Sequence, residues 1–361
     1  MTQIHFCKSF DGVRIAYANT GQGPAMVEVA TWLNHLEYDW KSPVWGPRLT
    51  ELSDHFSLTR YDGRGCGLSD RVVKNLTFEA CLQDLEAVVD AAGLEHFVLL
   101  GCCQGSGLAI AYAARHPERV SHLILYGAFA RGRMKRDTSL RDIDEANTML
   151  KLIELGWGQG NPAFRQVFTT MFIPDSKPEQ YRWFNESQQM STSPENAVGL
   201  TRGFDSMDVS GQLANIRSST LVLHARGDSR VPFAEGHMVA NSIPYAEFVP
   251  LDGCNHILLD HQPAWRQFFV EIVRFVRTRS APLAVVKPQL FELTTREREV
   301  LDLIARGLDN EQIAKHLSVS SKTIRNHINS IFGKLGTPNR AQAIVRAREA
   351  GLGIRPFDRA S

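Results

Sequence analysis

The segment LLGCCQGSGLAIAYAARHP constrains this chain more than any other. An apolar run, 97–100, enters Gly101-Cys102-Cys103-Gln104-Gly105, and a helical pattern follows at once. A strand that turns into a helix within so few residues strains the backbone of the central residue. Glycines two positions to either side leave room for the crowded main chain. The pattern G-x-Nu-x-G is that of a nucleophile elbow, with Cys103 at its centre. The surrounding fold must then supply a sheet whose strands end near the elbow.

The rest of the chain fits that demand. Short apolar runs at 27–30, 56–61, 97–101, 123–126, 220–224 and 248–250 read as strands, and amphipathic stretches such as 78–92 and 106–115 lie between them. Strand and helix in alternation predict a mostly parallel sheet covered on both faces. Residues 130–210 break the rhythm with helical, aromatic-containing segments, as an insertion lying over the sheet's C-terminal edge as a lid would. The segment 279–289 carries two prolines and little periodicity and reads as a linker. It separates a first domain, 1–278, from a purely helical second one, 290–361.

Two further chemical pieces follow the elbow in chain order. HARGDSRVPF places Asp228 just past a late strand, and LDGCNHILLD places His256 on a loop after the last one. In that order His256 would take the proton from Cys103, and Asp228 would orient and stabilise the imidazolium. The neighbouring histidine and the start of the following helix would both favour thiolate. The backbone N–H of Gln104 supplies one oxyanion donor, and Trp32, on the loop after an early strand, is the expected second. His35, Trp157 and Trp183 are candidate ligand contacts; Asp62 and Arg64 are expected to brace a loop.

Composition narrows the setting. The six cysteines form no CxxC pair and no metal-like rhythm, so neither a zinc site nor a disulfide framework is expected, and a reducing, cytoplasmic setting fits. No apolar run approaches the roughly 18 residues that span a bilayer. GCCQGSG lacks the dinucleotide fingerprint, and no phosphate loop is present, so no cofactor is expected. From Leu290 onward 12 Lys and Arg face 8 Asp and Glu, a basic tail on a mildly acidic body.

The tail parses by its caps. Thr294 with Glu297 forms a capping box for a helix to about Ala305, closed by Gly307. Asp309 with Gln312 opens a short helix to Leu317, and Ser320 caps a third from about Ser321 to Leu335. Asn339 would cap a fourth, to Ala350. Lys322, Thr323, Arg325, Asn326, Asn329 and Lys334 share the polar face of the third helix. Arg and Asn suit bidentate contacts with guanine and adenine edges, while Lys322, Thr323 and Lys334 are placed for phosphates.

On these motifs the tail resembles the LuxR-type helix-turn-helix, through its REREVL opening, SSKTIRNHI third helix and KLG-x-x-x-RAQA ending. The resemblance implies double-stranded DNA as partner, base contacts from Arg325, Asn326 and Asn329, and a last helix able to form a homodimer on a two-fold operator. Residues from about 10 to 277 resemble the α/β-hydrolase superfamily, through RYDGRGCGLSD, the elbow, and the Asp and His loops. WLNHLEYDW further resembles a subgroup in which this fold is joined to regulatory modules. The expected architecture is an α/β-hydrolase fold with a helical lid, followed by a small all-α domain. The departure is cysteine for serine, as in dienelactone-hydrolase-like enzymes, and Thr31 stands where a glycine is usual. Three readings stay open: a sensor of a small ester-like, lactone-like or aromatic effector, a working thiol hydrolase, and a constitutive DNA-binding protein whose degenerate body serves dimerisation.

Overall fold

A computed structural model describes residues 3–31, 33–136, 139–278 and 293–335, with single positions at 340, 343, 344, 347, 352 and 353. Its contacts divide the chain into two compact units, Met1–Pro282 and Leu283–Ser361. The expected linker lies outside the described residues.

The first unit is built on eight strands: β1 (Ile4–Lys8), β2 (Arg14–Thr20), β3 (Ala25–Glu28), β4 (Ser57–Tyr61), β5 (Phe97–Cys102), β6 (Val120–Tyr126), β7 (Ser219–Ala225) and β8 (Glu247–Leu251). Their order across the sheet is β1-β2-β4-β3-β5-β6-β7-β8. From β4 to β8 all pairings are parallel, and β1 and β2 add an antiparallel edge.

Alternation along the central strands fills two cores. Leu99 of β5 packs with helices α2 (Phe78–Ala91), α3 (Gln104–Arg115) and α8 (Phe233–Ser242) on one face. Val98 and Leu100 pack with α1 (Gly46–His55) and α9 (Ala264–Thr278) on the other. Burial on both faces explains why these strands read as continuous apolar runs.

Between β6 and β7 the chain leaves the sheet as four helices: α4 (Leu140–Gly156), α5 (Ala163–Phe172), α6 (Pro178–Ser191) and α7 (Pro194–Asp205). The stem of this lid is closed by backbone bonds from Gly132 N to Met207 O, 2.9 Å, and from Val209 N to Ala130 O, 2.9 Å. The departing and returning segments therefore lie side by side, bridged at Arg131 and Asp208.

The second unit contains α10 (Thr295–Ala305), α11 (Asn310–His316) and α12 (Ser321–Leu335). Reciprocal capping boxes at Thr294/Glu297 and Asp309/Gln312 satisfy backbone donors that a helix start leaves unpaired. The Ser320 hydroxyl accepts from Thr323 N at 3.2 Å, after a turn in which Ser318 takes φ 53°. Ile304, Ile313, Ile324, Ile328 and Ile331 form the small core. Of the expected fourth helix, only Arg340, Ala343, Ile344 and Ala347 are described; all four are helical, and Ala343 and Ala347 are buried. Its proposed dimer face otherwise lies outside the described residues. Among the described residues no helix is long and apolar enough to cross a membrane.

Candidate functional site

Cys103 sits between β5 and α3 with φ 51° and ψ −123°, a conformation non-glycine residues rarely adopt. Three bonds hold it there. Cys103 N donates to Tyr126 O at 3.0 Å, and Ser106 N and Oγ both donate to Cys103 O, at 3.0 and 2.5 Å. A Cβ on Gly101 would lie 2.7 Å from Ala109 Cβ and 2.9 Å from Gly105 O, so only glycine lets the helix press so close to the strand. The adjacent thiol differs sharply. Cys102 is buried on the opposite face beside Arg48 Nη1, at 3.5 Å, and burial pushes its pKa up to about 12.

The loops after β7 and β8 bring Asp228 and His256 to the elbow. Asp228 Oδ2 accepts from His256 Nδ1 at 2.8 Å. Its Oδ1 accepts from the backbone N–H groups of Arg230 and Val231, each at 2.8 Å. Burial acts to raise the Asp228 pKa, but the His256 charge and these donors hold it below the ordinary carboxylate value. His256 is buried. Burial disfavours its charged form, yet negative charge on Cys103 and then on Asp228 outweighs this and raises its pKa to about 10. The remaining ring nitrogen, Nε2, makes no hydrogen bond of good geometry among the described residues, and Cys103 acts on the ring mainly through its charge, with a weaker hydrogen-bonding contribution. Gly127, at φ 57°, makes space for the pair: a Cβ there would lie 2.9 Å from His256 Cε1.

Two chambers meet at Cys103 and Gln104. The first reaches Trp45, Phe172, His256 and Phe268. Its wall contains a buried ionic network. Glu28 bonds Arg48 and lies 3.2 Å from Arg60 Nε, while Arg60 Nη2 donates to Asp39 Oδ2 at 2.6 Å. Burial lifts the Asp39 pKa to about 6 although Arg60 opposes it. Trp45 Nε1, Arg48 Nε, Asp39 Oδ1, Gln104 Oε1 and Tyr126 OH are buried on this wall without a partner among the described residues, so the chamber offers hydrogen bonds. The second lies under the lid and is lined by Arg133, Arg136 and Arg230 together with Met149, Ile153, Phe168 and Phe204.

In the second unit α12 presents Lys322, Arg325, Asn326 and Asn329 to solvent. No hydrogen bond or ion pair within the described residues occupies these four side chains.

Residues 24–263 match the family described as alpha/beta hydrolase fold. The chain belongs to that family. Residues 292–347 match the luxR family of bacterial regulatory proteins, so this hydrolase-fold chain carries a LuxR-type helix-turn-helix. It is similar to AB hydrolase superfamily protein YisY of Bacillus subtilis, 27% identical over 70% of this chain and 92% of the relative. Its tail is similar to the transcriptional regulatory protein DesR of the same organism, 38% identical over 22% of this chain and 45% of that one. The esterase RhEst1 from a Rhodococcus species shares the fold with a TM-score of 0.62 at 24% identity, over 76% of this chain and 98% of its own.

Within the hydrolase-fold unit, the expected residues divide. Cys103, Asp228 and His256 come together as described. Gln104 is the first residue of α3, and no acceptor among the described residues takes its backbone N–H. Trp32 lies outside the described residues, and its neighbour Thr31 lines the first chamber.

The three expected ligand contacts are not at either chamber. His35 Nδ1 accepts from Tyr38 N at 3.3 Å and stiffens its own loop. Trp157 is buried inside the lid, donates to Thr192 O at 3.1 Å, and packs edge-on against Phe168. Trp183 stacks on Tyr38 with ring centres 4.7 Å apart. Trp157 thus serves the lid's own core, while Trp183 packs the lid against the loop that carries Tyr38. Asp62 and Arg64 do brace loops: Asp62 accepts from Leu36 N, Leu68 N and Asn34 Nδ2, and Arg64 pairs with Asp84 and Asp11.

On the LuxR-type unit two corrections apply. Lys334 was expected to face phosphate, but its Nζ pairs with Glu297 Oε2 at 2.8 Å, tying α12 to α10. Thr323 lies by the Ser320 hydroxyl, 2.9 Å away, and helps cap its own helix. Sequence reasoning missed Arg133, Arg136 and Arg230. Arg230 stands two residues after Asp228, but nothing local shows that the two others, nearly a hundred positions earlier, converge on it.

Proposed function

We propose that the hydrolase-fold domain binds a small ester-like or lactone-like effector at Cys103, and that occupancy changes how the LuxR-type domain engages operator DNA in the cytoplasm. The observation that carries this reading is the intact Asp228–His256–Cys103 arrangement at the junction of two chambers. A ligand can act in this way only by binding two states of the protein unequally. Lys322, Arg325, Asn326 and Asn329 contact the duplex, with the protein as a homodimer on paired half-sites.

The chemistry open to the site is acyl transfer. Cys103 thiolate attacks the ester carbonyl carbon, and the oxyanion faces the Gln104 N–H. His256 then passes its proton to the departing alkoxide as the C–O bond breaks, leaving an acyl thioester and an alcohol. In a sensor the thioester persists. In an enzyme, water attacks it with His256 as base, releasing the acid and restoring the thiol. The second reading is favoured by the presence of a chamber on each side of Cys103, which suits both halves of a substrate.

The test uses the full chain and a duplex selected by it from random sequence. Alkylation of Cys103 by iodoacetamide imitates occupancy. Affinity should change about fivefold or more, within the usual range of coupling, and Cys103→Ala should show no such response. Unchanged affinity after complete Cys103 alkylation overturns the sensor reading. Repeated turnover of p-nitrophenyl acetate, lost in Cys103→Ala, would then establish the hydrolase.

A further inference from the structure

We infer that the chamber under the lid is an anion site, and that the compound reaching Cys103 carries a carboxylate held by Arg133, Arg136 and Arg230. This deepens the proposed function and rests on Cys103 being the point of engagement.

The three arginines come from two places. Arg133 and Arg136 lie at the foot of the lid, just after the bridge at Arg131, and Arg230 lies on the loop that holds Asp228. All three line one cavity whose floor is Cys103 and Gln104. Arg136 is anchored: its Nε donates to Arg131 O at 3.0 Å and lies 3.7 Å from Glu235 Oε2. Arg230 has a single aromatic neighbour, the Phe172 ring 5.7 Å away, and no acceptor for its guanidinium within the described residues. Arg133 likewise has no side-chain acceptor there.

The negative groups facing the cluster do not balance it. Glu235 is shared between Arg136 and Arg131, both at 3.7 Å. Asp205 lines the same cavity, and burial raises its pKa although Arg230, Arg133 and Arg136 all oppose the shift. On the outer side Arg133 faces Asp142, which is fully exposed. Among the described residues, the three guanidiniums that line the cavity thus face two carboxylates, Glu235 and Asp205, the first of them shared with Arg131. Burial, followed by repulsion from Arg133, works against the charge on Arg230.

Like charges gathered in a partly dry cavity are costly unless a counter-charge joins them. A carboxylate does so well, since each guanidinium offers it paired N–H donors. The apolar remainder of the wall, Met149, Ile153, Phe168 and Phe204, suits a short carbon chain or ring between that carboxylate and the carbonyl at Cys103. The ligand class is therefore an ester or lactone that also bears a free acid.

Iodoacetate and iodoacetamide share a leaving group and nearly a size, and differ in charge. Their rates at Cys103, mapped by mass at pH 7 in the full chain, are compared with their rates at the exposed Cys254 of the same molecules. Any change in thiol nucleophilicity cancels in the ratio. The iodoacetate preference at Cys103 should exceed that at Cys254 by about tenfold, as a local positive potential produces. It should fall severalfold in Arg133→Gln/Arg230→Gln, leaving only the part due to the charged His256 beside the thiol, and no fall in that variant overturns the arginine site. A ratio at Cys103 no higher than at Cys254 overturns the anion site while leaving the thiol's role intact.

If Cys103 resists both reagents, its proposed engagement fails, and the anion site is read separately from Tm. In that case 3-phenylpropionate should raise the wild-type Tm and the matching amide should not, with the gain lost in both Arg133→Gln and Arg230→Gln. Equal shifts from acid and amide, or none, overturn the inference.

Discussion

Asp228 grips His256 from a carboxylate that is itself fixed: one oxygen takes the imidazole Nδ1 proton at 2.8 Å, and the other takes two backbone N–H groups. The ring is therefore held in one tautomer, with Nε2 turned toward Cys103. Asp228→Asn keeps the shape and removes the charge. Charge-assisted bonds contribute about 1.5–3 kcal/mol, so Cys103 alkylation by iodoacetamide at pH 6 should slow by roughly ten- to a hundredfold. An unchanged rate would show that Asp228 does not act through His256.

The raised His256 pKa has a defined pH signature. Its folded value, about 10, lies above the ordinary 6.5, so the stability it contributes is complete below about 6.5 and disappears as pH rises through about 10. Urea midpoints of wild type and His256→Gln should differ most below about pH 6.5 and converge above pH 10. A constant difference across that window would contradict the charge pairing.

Gly127→Ala should damage the same pair from behind. A left-handed residue with a Cβ costs about 1–2 kcal/mol, and this Cβ would press on His256 Cε1. The urea midpoint should fall, and alkylation of Cys103 by iodoacetamide should be slower than in wild type. A fall in stability with reactivity retained would mean that the ring accommodates the methyl group.

On DNA, Arg325→Ala should cost about 1–3 kcal/mol and relax preference at one base position. Lys322→Ala should weaken all duplexes alike and reduce the salt slope by about one. Titration of a selected duplex and a scrambled one, at several salt concentrations, separates the two roles. Identical effects of both variants would place neither side chain at a base edge.

Lys334 should behave differently from both. Its bond and those of Ser330 and Thr294 pull the Glu297 pKa down to about 2 from an ordinary 4.5. A depressed carboxyl contributes stability above its unfolded pKa and loses it as pH falls through the folded one. Lys334→Met should therefore flatten the acid dependence of unfolding between about pH 4.5 and 2, measured by the helical circular dichroism of the tail. An acid profile equal to wild type would mean that the pair is not formed in solution.

Much of this was legible because local signals agreed with the global fold. Strands β3 to β7 are buried on both faces and so read as apolar runs, and the caps at Thr294, Asp309 and Ser320 announce their helices. Strands β1 and β2 went unread since an edge hairpin is half-solvated; His5 and Phe6 are exposed, and no apolar run marks them. Cys103, Asp228 and His256 were legible because each follows a strand end. The Glu28–Arg48–Arg60 network and the arginine cluster were not, because their members come from separate elements that only the folded sheet and lid bring together. Trp157 and Trp183 misled for a simple reason: aromatic composition marks a lid, and does not say which side of it a ring faces.

The stem of the lid has a further consequence. Because the chain leaves and rejoins the sheet at neighbouring points, through paired backbone bonds at Ala130, Gly132, Met207 and Val209, the whole excursion hangs from one short hinge-like seam. Such a seam makes the excursion a cassette. Descendants could exchange it for another of different length and lining without moving Cys103, Asp228 or His256. Reactivity and recognition can then evolve on separate schedules, with the vocabulary of recognised compounds rewritten while the grammar of attack stays fixed.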